Sequence, residues 1–372
     1  MKTGLVTIFQ VPNYGSVLQA YATQIIIEKL GSSCYIVNYR YPNELQKGNS
    51  INIRGLLYRF LTRFGISAQQ RKIINLNKFI EQNFHLTKRY NSFDELKAEN
   101  WSSYDIMIVG SDQVWNTAYT KSEPAFLLQF LPDSIKRISI ASSFASKSIE
   151  SQYRDVFKSE LSKFSYITVR ETNGLEILKD LSLKDKKTAV CLDPTLLLSK
   201  KEWSNIAKPY NCLEKYILLY MWTYAFEPRP YIFEVIRHFK KNIDNCKIVA
   251  LEGFCNIPGD ICQELNIICA EDSSIPEFID LFRNASLVIT SSFHGTAFAI
   301  NMGVPLVSIV PNNNSDDRQS SFLRSVNAIN SIVKIGQNPI TIDPYYSPEI
   351  TQEKLNALRK ESIDLIKKMI EK

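Results

Sequence analysis

One stretch of sequence, residues 287–309, constrains the fold more than any other part of the chain. It begins with the apolar run Leu287–Ile289, which is typical of a buried parallel strand, and a polar turn follows. Thr296–Met302 then predicts a short helix that Gly303 caps, and Leu306–Val310 predicts a second apolar strand. A strand, a helix and a second strand in this order form a βαβ unit, which indicates an α/β fold with parallel sheets.

The polar turn of this unit, Thr290–Gly295, contains His294, one of only three histidines in the chain. In open α/β sheets, ligands bind outside the carboxyl ends of the strands, where helix N-termini direct backbone N–H groups towards them. No Asp or Glu occurs between Asp280 and Asp316, so this segment offers an anion no repelling carboxylate. His294 could merely cap the helix, and burial alone could account for the missing acids. The combination of features favours a functional site.

The composition is that of an ordinary globular protein of two domains. The chain has 372 residues, of which 45% are hydrophobic and 22% are charged. The net charge of +6 suits phosphorylated or acidic ligands, or an anionic membrane surface. No RNP-like, zinc-finger or helix-turn-helix pattern accompanies this charge, so we do not expect a nucleic-acid partner.

The cysteines and the hydropathy pattern predict a cytoplasmic protein. The seven cysteines include no CxxC pair and their number is odd, which favours reduced thiols over a disulfide framework. The N-terminal residues enter a strand without the apolar region of a signal peptide, and no apolar run approaches the length of a membrane span. No spacing typical of metal ligands occurs, so neither a metal nor a cofactor is expected.

Apolar strands followed by polar turns recur through the first half of the chain. The predicted strands are Gly4–Phe9, Cys34–Asn38, Tyr104–Val109, Ile138–Ala141, Tyr166–Val169 and Val190–Leu192. Ser16 is predicted to cap a helix that follows the first strand and ends near Leu30. Because the turns recur at strand ends, we expect them to form the rim of a single cleft. The candidate residues in these turns are Asn13, Tyr14, Gly15, Ser111, Asp112, Gln113, Trp115 and Arg170.

These turn residues also have structural interpretations. Asn13 and Gly15 fit ordinary turn chemistry as well as they fit a binding site. Asp112 fits a helix cap, and Arg170 could pair with Glu171 or another acid. We favour a functional role for Arg170, because a cation at a strand end beside a cleft suits an anionic ligand.

The chain is predicted to divide into two Rossmann-like domains. The first spans residues 1–200, and the turn at Asp193 near its end either belongs to the rim of the cleft or only marks the exit from this domain. The second, residues 201–345, repeats the alternation of strands and helices. Residues 346–372 predict a charged amphipathic helix that packs back on the first domain.

A basic segment lies between Leu45 and Ile80. It contains seven Lys and Arg residues and no acidic residue, and apolar residues interleave with the arginines at helical spacing. Such a segment can lie on an anionic membrane, or it can pack on the domain and leave a solvated basic face. The packed arrangement is commoner, and a peripheral contact with the inner face of the membrane is kept as a hypothesis.

Five sequence motifs resemble those of the polysaccharide pyruvyl transferase family. They are NYGSVLQAYA at Asn13–Ala22, VGSDQVWN at Val109–Asn116, VRE at Val169–Glu171, LDPTLLL at Leu192–Leu198 and ITSSFHGTAFAI at Ile289–Ile300. They cover most of the chain in the order of the family. The resemblance implies two Rossmann-like domains in a GT-B-like arrangement with a cleft between them. It also implies transfer of a pyruvyl group from phosphoenolpyruvate to a saccharide, commonly lipid-linked, to form a ketal in cell-surface polysaccharides such as capsule or exopolysaccharide.

The chain departs from the family pattern at one position of the donor site. Family members often have an arginine before the histidine, and Ser292 stands in that place here. The donor would then be held by Arg170 and Arg318, with Ser292, His294, Gly295 and Thr296 of the turn around it. His294 is the candidate for proton transfer and Asp112 the candidate base for the acceptor hydroxyl. Residues assigned to the acceptor or the cleft are Asn13, Tyr14, Gly15, Ser111, Gln113 and Trp115.

Two alternatives to the pyruvyl transferase stay open on the sequence. The first is a GT-B glycosyltransferase that uses a nucleotide sugar. Such enzymes usually hold the ribose hydroxyls with a carboxylate on the helix after this turn, and Thr296–Met302 contains none. The second is a non-catalytic saccharide-binding subunit of a biosynthetic complex. Binding of phosphoenolpyruvate, measured by calorimetry, would distinguish the proposed transferase from both.

Overall fold

Two parallel β-sheets, each flanked by helices, make up the part of the chain that the computed structural model describes. The described residues are 1–41, 67–183, 186–210, 215–223, 225–251, 257–313 and 317–371. The prediction of an α/β fold with two parallel sheets is therefore confirmed.

The first sheet has seven strands in the order β3-β2-β1-β4-β5-β6-β7. The strands are β1 (Lys2–Val6), β2 (Ser33–Tyr39), β3 (Leu86–Tyr90), β4 (Ile106–Val109), β5 (Lys136–Ser142), β6 (Tyr166–Val169) and β7 (Lys187–Val190). The helices of this half are α1 (Tyr14–Lys29), α2 (Ala68–Asn83), α3 (Phe93–Ala98), α4 (Thr117–Thr120), α5 (Ser151–Leu161), α6 (Thr172–Asp180), α7 (Pro194–Leu197) and α8 (Lys200–Ser204). A short 3₁₀ helix spans Pro124–Leu127.

The second sheet has six strands in the order β10-β9-β8-β11-β12-β13. The strands are β8 (Tyr216–Tyr220), β9 (Lys247–Ala250), β10 (Ile267–Cys269), β11 (Leu287–Thr290), β12 (Leu306–Val310) and β13 (Ile332–Lys334). The helices are α9 (Tyr231–Asn242), α10 (Gly259–Leu265), α11 (Ile275–Asn284), α12 (Phe293–Met302), α13 (Arg318–Ser325) and α14 (Pro348–Ile370), with 3₁₀ turns at Ile329–Ser331 and Pro339–Thr341.

The central strands are apolar because helices cover both faces of each sheet. Every residue of β4, β8, β11 and β12 is buried. Parallel strands of this kind are therefore near-continuous runs of Val, Ile and Leu. For this reason the predicted bounds of β6, β8 and β12 agree with the structure.

In each sheet the strand order reverses beside the first strand of that half. The reversal lies between β1 and β4 in the first sheet and between β8 and β11 in the second. Ligands of open α/β sheets bind at such switch points, outside the carboxyl ends of the strands. The loop after β1 leads into α1, and the loop after β11 leads into α12. The two switch points therefore place the start of α1 and the His294 turn at the same edge of their sheets.

Several groups of contacts join the halves, and two of them involve α1 with α2 and α14. In the first, the Tyr14 hydroxyl donates to the carbonyl oxygens of Glu271 (2.9 Å) and Ser273 (2.7 Å), and its ring stacks on Phe278 with centroids 4.6 Å apart. Arg71 of α2 adds an ion pair, with Nε 2.6 Å from the Oδ2 atom of Asp272. These contacts fix α1 and α2 to the segment that precedes α11.

The second group involves α14. The Leu192 N–H donates to the Ser362 hydroxyl (3.2 Å), and the Arg359 Nε donates to the carbonyl oxygen of Leu196 (2.7 Å). Arg359 also donates through Nη2 to Asn301 of α12 (3.0 Å). Helix α14 thus lies against both halves. The predicted division at residues 200 and 345 stays a prediction; β7 ends at Val190 and β8 begins at Tyr216.

Several predicted element boundaries were wrong; the first strand spans Lys2–Val6 and not Gly4–Phe9, and three other differences lie near the turns. Helix α1 begins at Tyr14 and its N-cap is Asn13, whose side chain accepts from the Gly15 N–H, so Ser16 lies inside the helix. Helix α12 begins at Phe293, three residues before its predicted start, because Ser292 is the N-cap. The strand predicted from Val190 ends there instead, since Lys187–Val190 pairs in parallel with β6.

Much of the basic segment lies outside the described residues. Its described part includes most of α2, in which Lys72 is buried with its Nζ 4.5 Å from the centre of the Tyr14 ring. That part packs on the domain. Among the described residues, no helix combines the length and the hydropathy needed to cross a bilayer.

Candidate functional site

His294 lies on the first turn of α12, where the local sequence places it. Ser292 is the N-cap, and its hydroxyl accepts from the Gly295 N–H at 3.4 Å. The Thr296 hydroxyl donates to the carbonyl oxygen of Ser292 at 3.0 Å. Serine is among the preferred N-cap residues, which gives a physical reason for serine at the position where the family often has arginine.

Gly15 packs directly on the imidazole of His294. A Cβ atom added to Gly15 would overlap the Nδ1 and Cγ atoms of the ring. Only glycine allows α1 to approach this closely. Gly15 therefore has a steric role, and it brings the first switch point into contact with the second.

Asp193 lies at the centre of a cluster of polar side chains and is 1% exposed. The other members of the cluster are Ser111, Arg170, Thr195 and His294. The Oδ1 atom of Asp193 accepts from the backbone N–H (2.9 Å) and the hydroxyl (2.6 Å) of Thr195. Its Oδ2 atom accepts from the Ser111 hydroxyl at 2.7 Å and from the Arg170 Nη1 at 2.9 Å, and it lies 3.7 Å from the His294 Nε2. Burial alone would raise the pKa of Asp193, but His294, Arg170 and Thr195 outweigh it and hold the pKa below its usual range.

Arg170 is buried between two acids and an aromatic ring. Its Nε lies 3.8 Å from the Oε2 atom of Glu171, in addition to the contact with Asp193. Its guanidinium carbon lies 4.2 Å from the centre of the Phe293 ring, which belongs to the other half of the chain. Among the described residues, its Nε and Nη2 atoms have no hydrogen-bond partner. Arg170 is thus ion-paired and still has donors to offer a ligand.

Glu171 anchors the turn after β5. Its Oε1 atom accepts from the Ser143 hydroxyl (2.9 Å) and from the backbone N–H groups of Phe144 (2.9 Å) and Ala145 (3.1 Å). Burial raises the pKa of Glu171, although the nearby charges of Arg170 and Arg318 act in the opposite direction. The side chain fixes the turn and limits where Arg170 can move.

Asp112 lies beside this cluster. Its Oδ2 atom accepts from the Ser16 hydroxyl at 2.6 Å and its Oδ1 atom from the Gln113 N–H at 2.9 Å. Its φ angle of 70° is in the left-handed region, which is uncommon for a residue other than glycine. Its neighbour Ser111 donates to Asp193, so Asp112 adjoins a residue that contacts the central carboxylate.

Arg318 is the first residue of α13 and is buried. The start of α13 lies against the start of α6, because Asp317 accepts from the Asn173 N–H (3.3 Å) and the hydroxyls of Thr172 and Ser321 are 2.7 Å apart. Arg318 is close enough to lower the pKa of Glu171 against the effect of burial. The structure therefore brings Arg318, Arg170 and His294 to one region from three different turns.

The remaining predicted site residues lie nearby but serve packing or caps. Tyr14 bonds across the two halves as described, and Asn13 caps α1 and accepts from the Tyr220 hydroxyl at 3.4 Å. Trp115 is 1% exposed, and its indole N–H donates to the carbonyl oxygen of Phe126 at 3.0 Å. Gln113 accepts from the Asn116 side chain at 2.7 Å. Their assignment to the acceptor or the cleft stays a prediction.

A cavity of about 540 Å³ adjoins the cluster, and we refer to it as the α13–α14 cavity. Its lining includes the buried residues Arg170, Asp193 and Phe293 and residues of α13 and α14. Val190, which also lines it, is 42% exposed. The volume is within the range of small-molecule sites, roughly 300–1,000 Å³.

Sequence reasoning missed two residues of the site, Asp193 and Glu171. Both lie within motifs that the sequence singles out, LDPTLLL and VRE, but the sequence left the turn at Asp193 open between the rim of the cleft and a domain exit. The partners of Asp193 are far away along the chain, at Ser111 and His294, and only the topology brings them together. Among the described residues, no group of three or more His, Cys, Asp or Glu side chains is arranged to hold a metal ion.

Comparison with known proteins identifies both the family and the fold. The family model for polysaccharide pyruvyl transferase matches residues 13–313. No curated protein sequence matches the chain.

Two solved structures illustrate the likeness in fold. The UDP-GlcNAc 2-epimerase from Methanocaldococcus jannaschii has a TM-score of 0.51 and 14% identity, with 97% of this chain and 100% of that chain covered. The UDP-GlcNAc 2-epimerase from Neisseria meningitidis bound to UDP-GlcNAc has a TM-score of 0.52 and 13% identity, with 100% and 99% covered. At this identity the comparison supports the GT-B-like arrangement of two domains and nothing about the substrate.

Proposed function

Because the chain belongs to the polysaccharide pyruvyl transferase family, we propose that it transfers a pyruvyl group from phosphoenolpyruvate to two hydroxyls of a saccharide, forming a ketal. The observation that carries the proposal is the cluster of His294, Asp193 and Arg170, which joins the chain after β6 and β7 of the first sheet to the His294 turn of the second. The cluster combines a proton donor with a cation and a fixed acid, as this reaction requires. We propose that the acceptor is a lipid-linked intermediate of a cell-surface polysaccharide, met at the inner face of the membrane.

The donor carries a carboxylate and a phosphate, so the site must offer positive charge. Arg170 has two guanidinium nitrogens without a hydrogen-bond partner among the described residues, and Arg318 adds a second cation nearby. The N-terminus of α12 directs backbone N–H groups to the same region. A planar guanidinium can engage a carboxylate or a phosphate with two parallel hydrogen bonds.

The reaction begins with protonation of the methylene carbon of phosphoenolpyruvate. The electron pair of the double bond forms the new C–H bond, and the central carbon becomes cationic. A hydroxyl of the saccharide attacks that carbon and loses its proton. Phosphate then leaves with the electrons of its C–O bond, a second hydroxyl attacks and loses its proton, and the ketal closes. One proton is consumed and two are released, of which the phosphate can take one.

His294 is the proposed proton donor. Its Nε2 has no hydrogen-bond partner among the described residues and lies 3.7 Å from the Oδ2 atom of Asp193. Asp193 is itself held by Ser111, Thr195 and Arg170, so it positions both His294 and Arg170 without moving. A positioned acid typically accelerates a proton-transfer step by about 10²–10⁴-fold.

Asp112 is the proposed base for the acceptor hydroxyl. Its carboxylate is buried next to the cluster, and the Ser16 hydroxyl orients it. A base must lie within hydrogen-bond reach of the proton it removes, and closure around both substrates often shortens such distances. The pair of His294 and Asp112 would then serve the two opposite proton transfers.

The alternative of a nucleotide-sugar transferase is disfavoured by the helix that carries His294. Helix α12 has no Asp or Glu along Phe293–Met302, where such enzymes commonly place a carboxylate for the ribose hydroxyls. The observation supports a donor other than a nucleotide sugar, although the folds are alike.

The proposed function is tested by product analysis. The purified protein is incubated with phosphoenolpyruvate and a panel of lipid-linked and free saccharides, and products are examined by mass spectrometry together with release of phosphate. We expect a product that carries one pyruvate ketal, with one phosphate released for each ketal formed, and neither with His294→Ala. Phosphate release without a ketal, or transfer of sugar from UDP-GlcNAc, would contradict the proposal.

A further inference from the structure

The lining of the α13–α14 cavity combines buried and solvent-exposed residues. Arg170, Asp193 and Phe293 are buried, and we call the part that they line the buried end. Val190, Arg324 and Glu361 are exposed, and we call the part that they line the exposed end. A ligand in this cavity would therefore reach from the reacting groups to solvent. A small donor needs only the buried end, whereas an acceptor attached to a longer chain needs an exit.

The walls of the cavity offer apolar surface for the C–H face of a sugar ring and charged groups for its hydroxyls. Val190, Leu358 and Leu365 supply apolar surface, against which the C–H face of a pyranose can pack. Arg324 and Glu361 lie on α13 and α14, and neither side chain has an ion-pair or hydrogen-bond partner among the described residues. An unpaired carboxylate accepts hydrogen bonds from hydroxyl groups, and an unpaired guanidinium donates to ring and hydroxyl oxygens.

Resting on the function proposed above, we propose that the α13–α14 cavity is the acceptor subsite, where a saccharide packs on Val190 and donates its hydroxyls to Glu361. The reducing end or carrier leaves through the exposed end, and the reacting hydroxyls lie at the buried end. This subsite differs from the turn residues that the sequence predicted for the acceptor. It assigns to α14 a role in substrate binding in addition to its packing on both halves.

The test uses variants at the exposed end of the cavity, expressed from the chromosomal copy of the gene in the organism that encodes the protein. Val190→Trp narrows the opening without repacking a core, since Val190 is already 42% exposed. Glu361→Gln keeps the size of the side chain and removes its charge. The matched controls are Ile340→Trp, at a residue that is 77% exposed and does not line the cavity, and Glu353→Gln, on an exposed position of the same helix.

Two measurements are made on each variant. The ketal content of the purified surface polysaccharide is measured by proton NMR, which detects the ketal methyl group whichever sugar carries it. Binding of phosphoenolpyruvate to the purified protein is measured by calorimetry. We expect Val190→Trp to remove most of the ketal and Glu361→Gln to lower the rate of ketal addition about tenfold, which corresponds to one charge-assisted hydrogen bond. Both should bind phosphoenolpyruvate as the wild type does, and both controls should retain the wild-type ketal content.

The outcomes separate this inference from the proposed function. Wild-type ketal content in both Val190→Trp and Glu361→Gln would overturn the acceptor subsite, provided that deletion of the gene removes the ketal. Weakened binding of phosphoenolpyruvate to Val190→Trp would also overturn it, because the cavity would then hold the donor. A polysaccharide that lacks ketals, or keeps them when the gene is deleted, would contradict the proposed function and the inference with it.

Discussion

The turn after β6 and the turn after β11 meet at the same site but are built differently. In the first, Arg170 and Glu171 are buried and together make hydrogen bonds to Asp193, Ser143 and two backbone N–H groups. In the second, the His294 Nε2 has no hydrogen-bond partner among the described residues and its nearest acid is 3.7 Å away. The first turn is held fixed by its bonds, while the second leaves an imidazole able to exchange a proton. Changes in the β6 turn should affect donor affinity and stability, and changes in the β11 turn should affect turnover.

The largest expected effect on catalysis is that of His294→Ala. Loss of the proton donor should lower kcat by about 10²–10⁴-fold. The thermal unfolding midpoint should also fall, because the variant loses the packing of the buried imidazole on Gly15, although it loses no hydrogen bond of Nε2. The measurement is a rate assay with a parallel unfolding scan. His85→Ala, at an exposed histidine paired with Glu28, is the control. Near wild-type turnover in His294→Ala would remove His294 from the mechanism.

Asp193→Asn should show the largest effect on stability. Removing one partner of a buried ion pair typically costs roughly 3–5 kcal/mol, because Arg170 is left without its closest acid. The folded-state pKa of Asp193 is lowered, so its stabilising contribution is present above the unfolded pKa of about 3.9 and is lost as pH falls below that value.

Urea unfolding of the wild type and Asp193→Asn should therefore differ by a constant free energy between about pH 5 and pH 7. The difference should shrink below about pH 4, where the unfolded wild type takes up a proton that the variant cannot bind. Asp180→Asn, at an exposed acid, is the matched control. A difference that stays constant down to the lowest pH would show that the carboxylate is not the source of the stability.

Gly15 brings the two switch points into contact, and Gly15→Ala should lower kcat. The added Cβ would overlap the imidazole of His294, so the ring must shift. A displacement of about 1 Å at a reacting group can cost on the order of 10²-fold in rate. Gly259→Ala is the control, since no heavy atom lies within 4 Å of the added Cβ. Equal rates for the two variants would mean that the position of His294 is not critical.

The smallest expected effect is that of Arg170→Lys, which tests the donor contact of the β6 turn. The ammonium group cannot bond with the donor in bidentate fashion. The KM for phosphoenolpyruvate should rise by about ten- to a hundred-fold, with a smaller change in the KM for the acceptor. Arg318→Lys serves as the comparison. If donor affinity falls in Arg318→Lys and not in Arg170→Lys, the α13 turn supplies the principal cation.

The fold could be predicted from the sequence because buried parallel strands consist of continuous runs of apolar residues. The strands Tyr166–Val169, Tyr216–Tyr220 and Leu306–Val310 needed no tertiary information. The predicted N-cap of α1 was wrong because Asn13 and Ser16 are both good N-cap residues. Only the hydrogen bond that the Asn13 side chain accepts from the Gly15 N–H decides between them.

The site was predicted in pieces and not as a cluster. His294 and Arg170 were identified from their places at strand ends, where parallel topology makes ligand contact common. The central role of Asp193 depends on residues 82 and 23 positions away, Ser111 and Arg170, and on the close approach of α1 to His294 through Gly15. Because these contacts join residues that are far apart in the chain, no local sequence pattern reveals them. They follow from the strand order of the two sheets.

The central claim, a site for phosphoenolpyruvate, is tested most directly by a calorimetric titration of the purified protein with phosphoenolpyruvate and, separately, with UDP-GlcNAc. We predict that phosphoenolpyruvate binds, that Arg170→Lys weakens this binding by about ten- to a hundred-fold, and that UDP-GlcNAc does not bind. Binding of UDP-GlcNAc without binding of phosphoenolpyruvate would contradict the claim and assign the site to a nucleotide sugar.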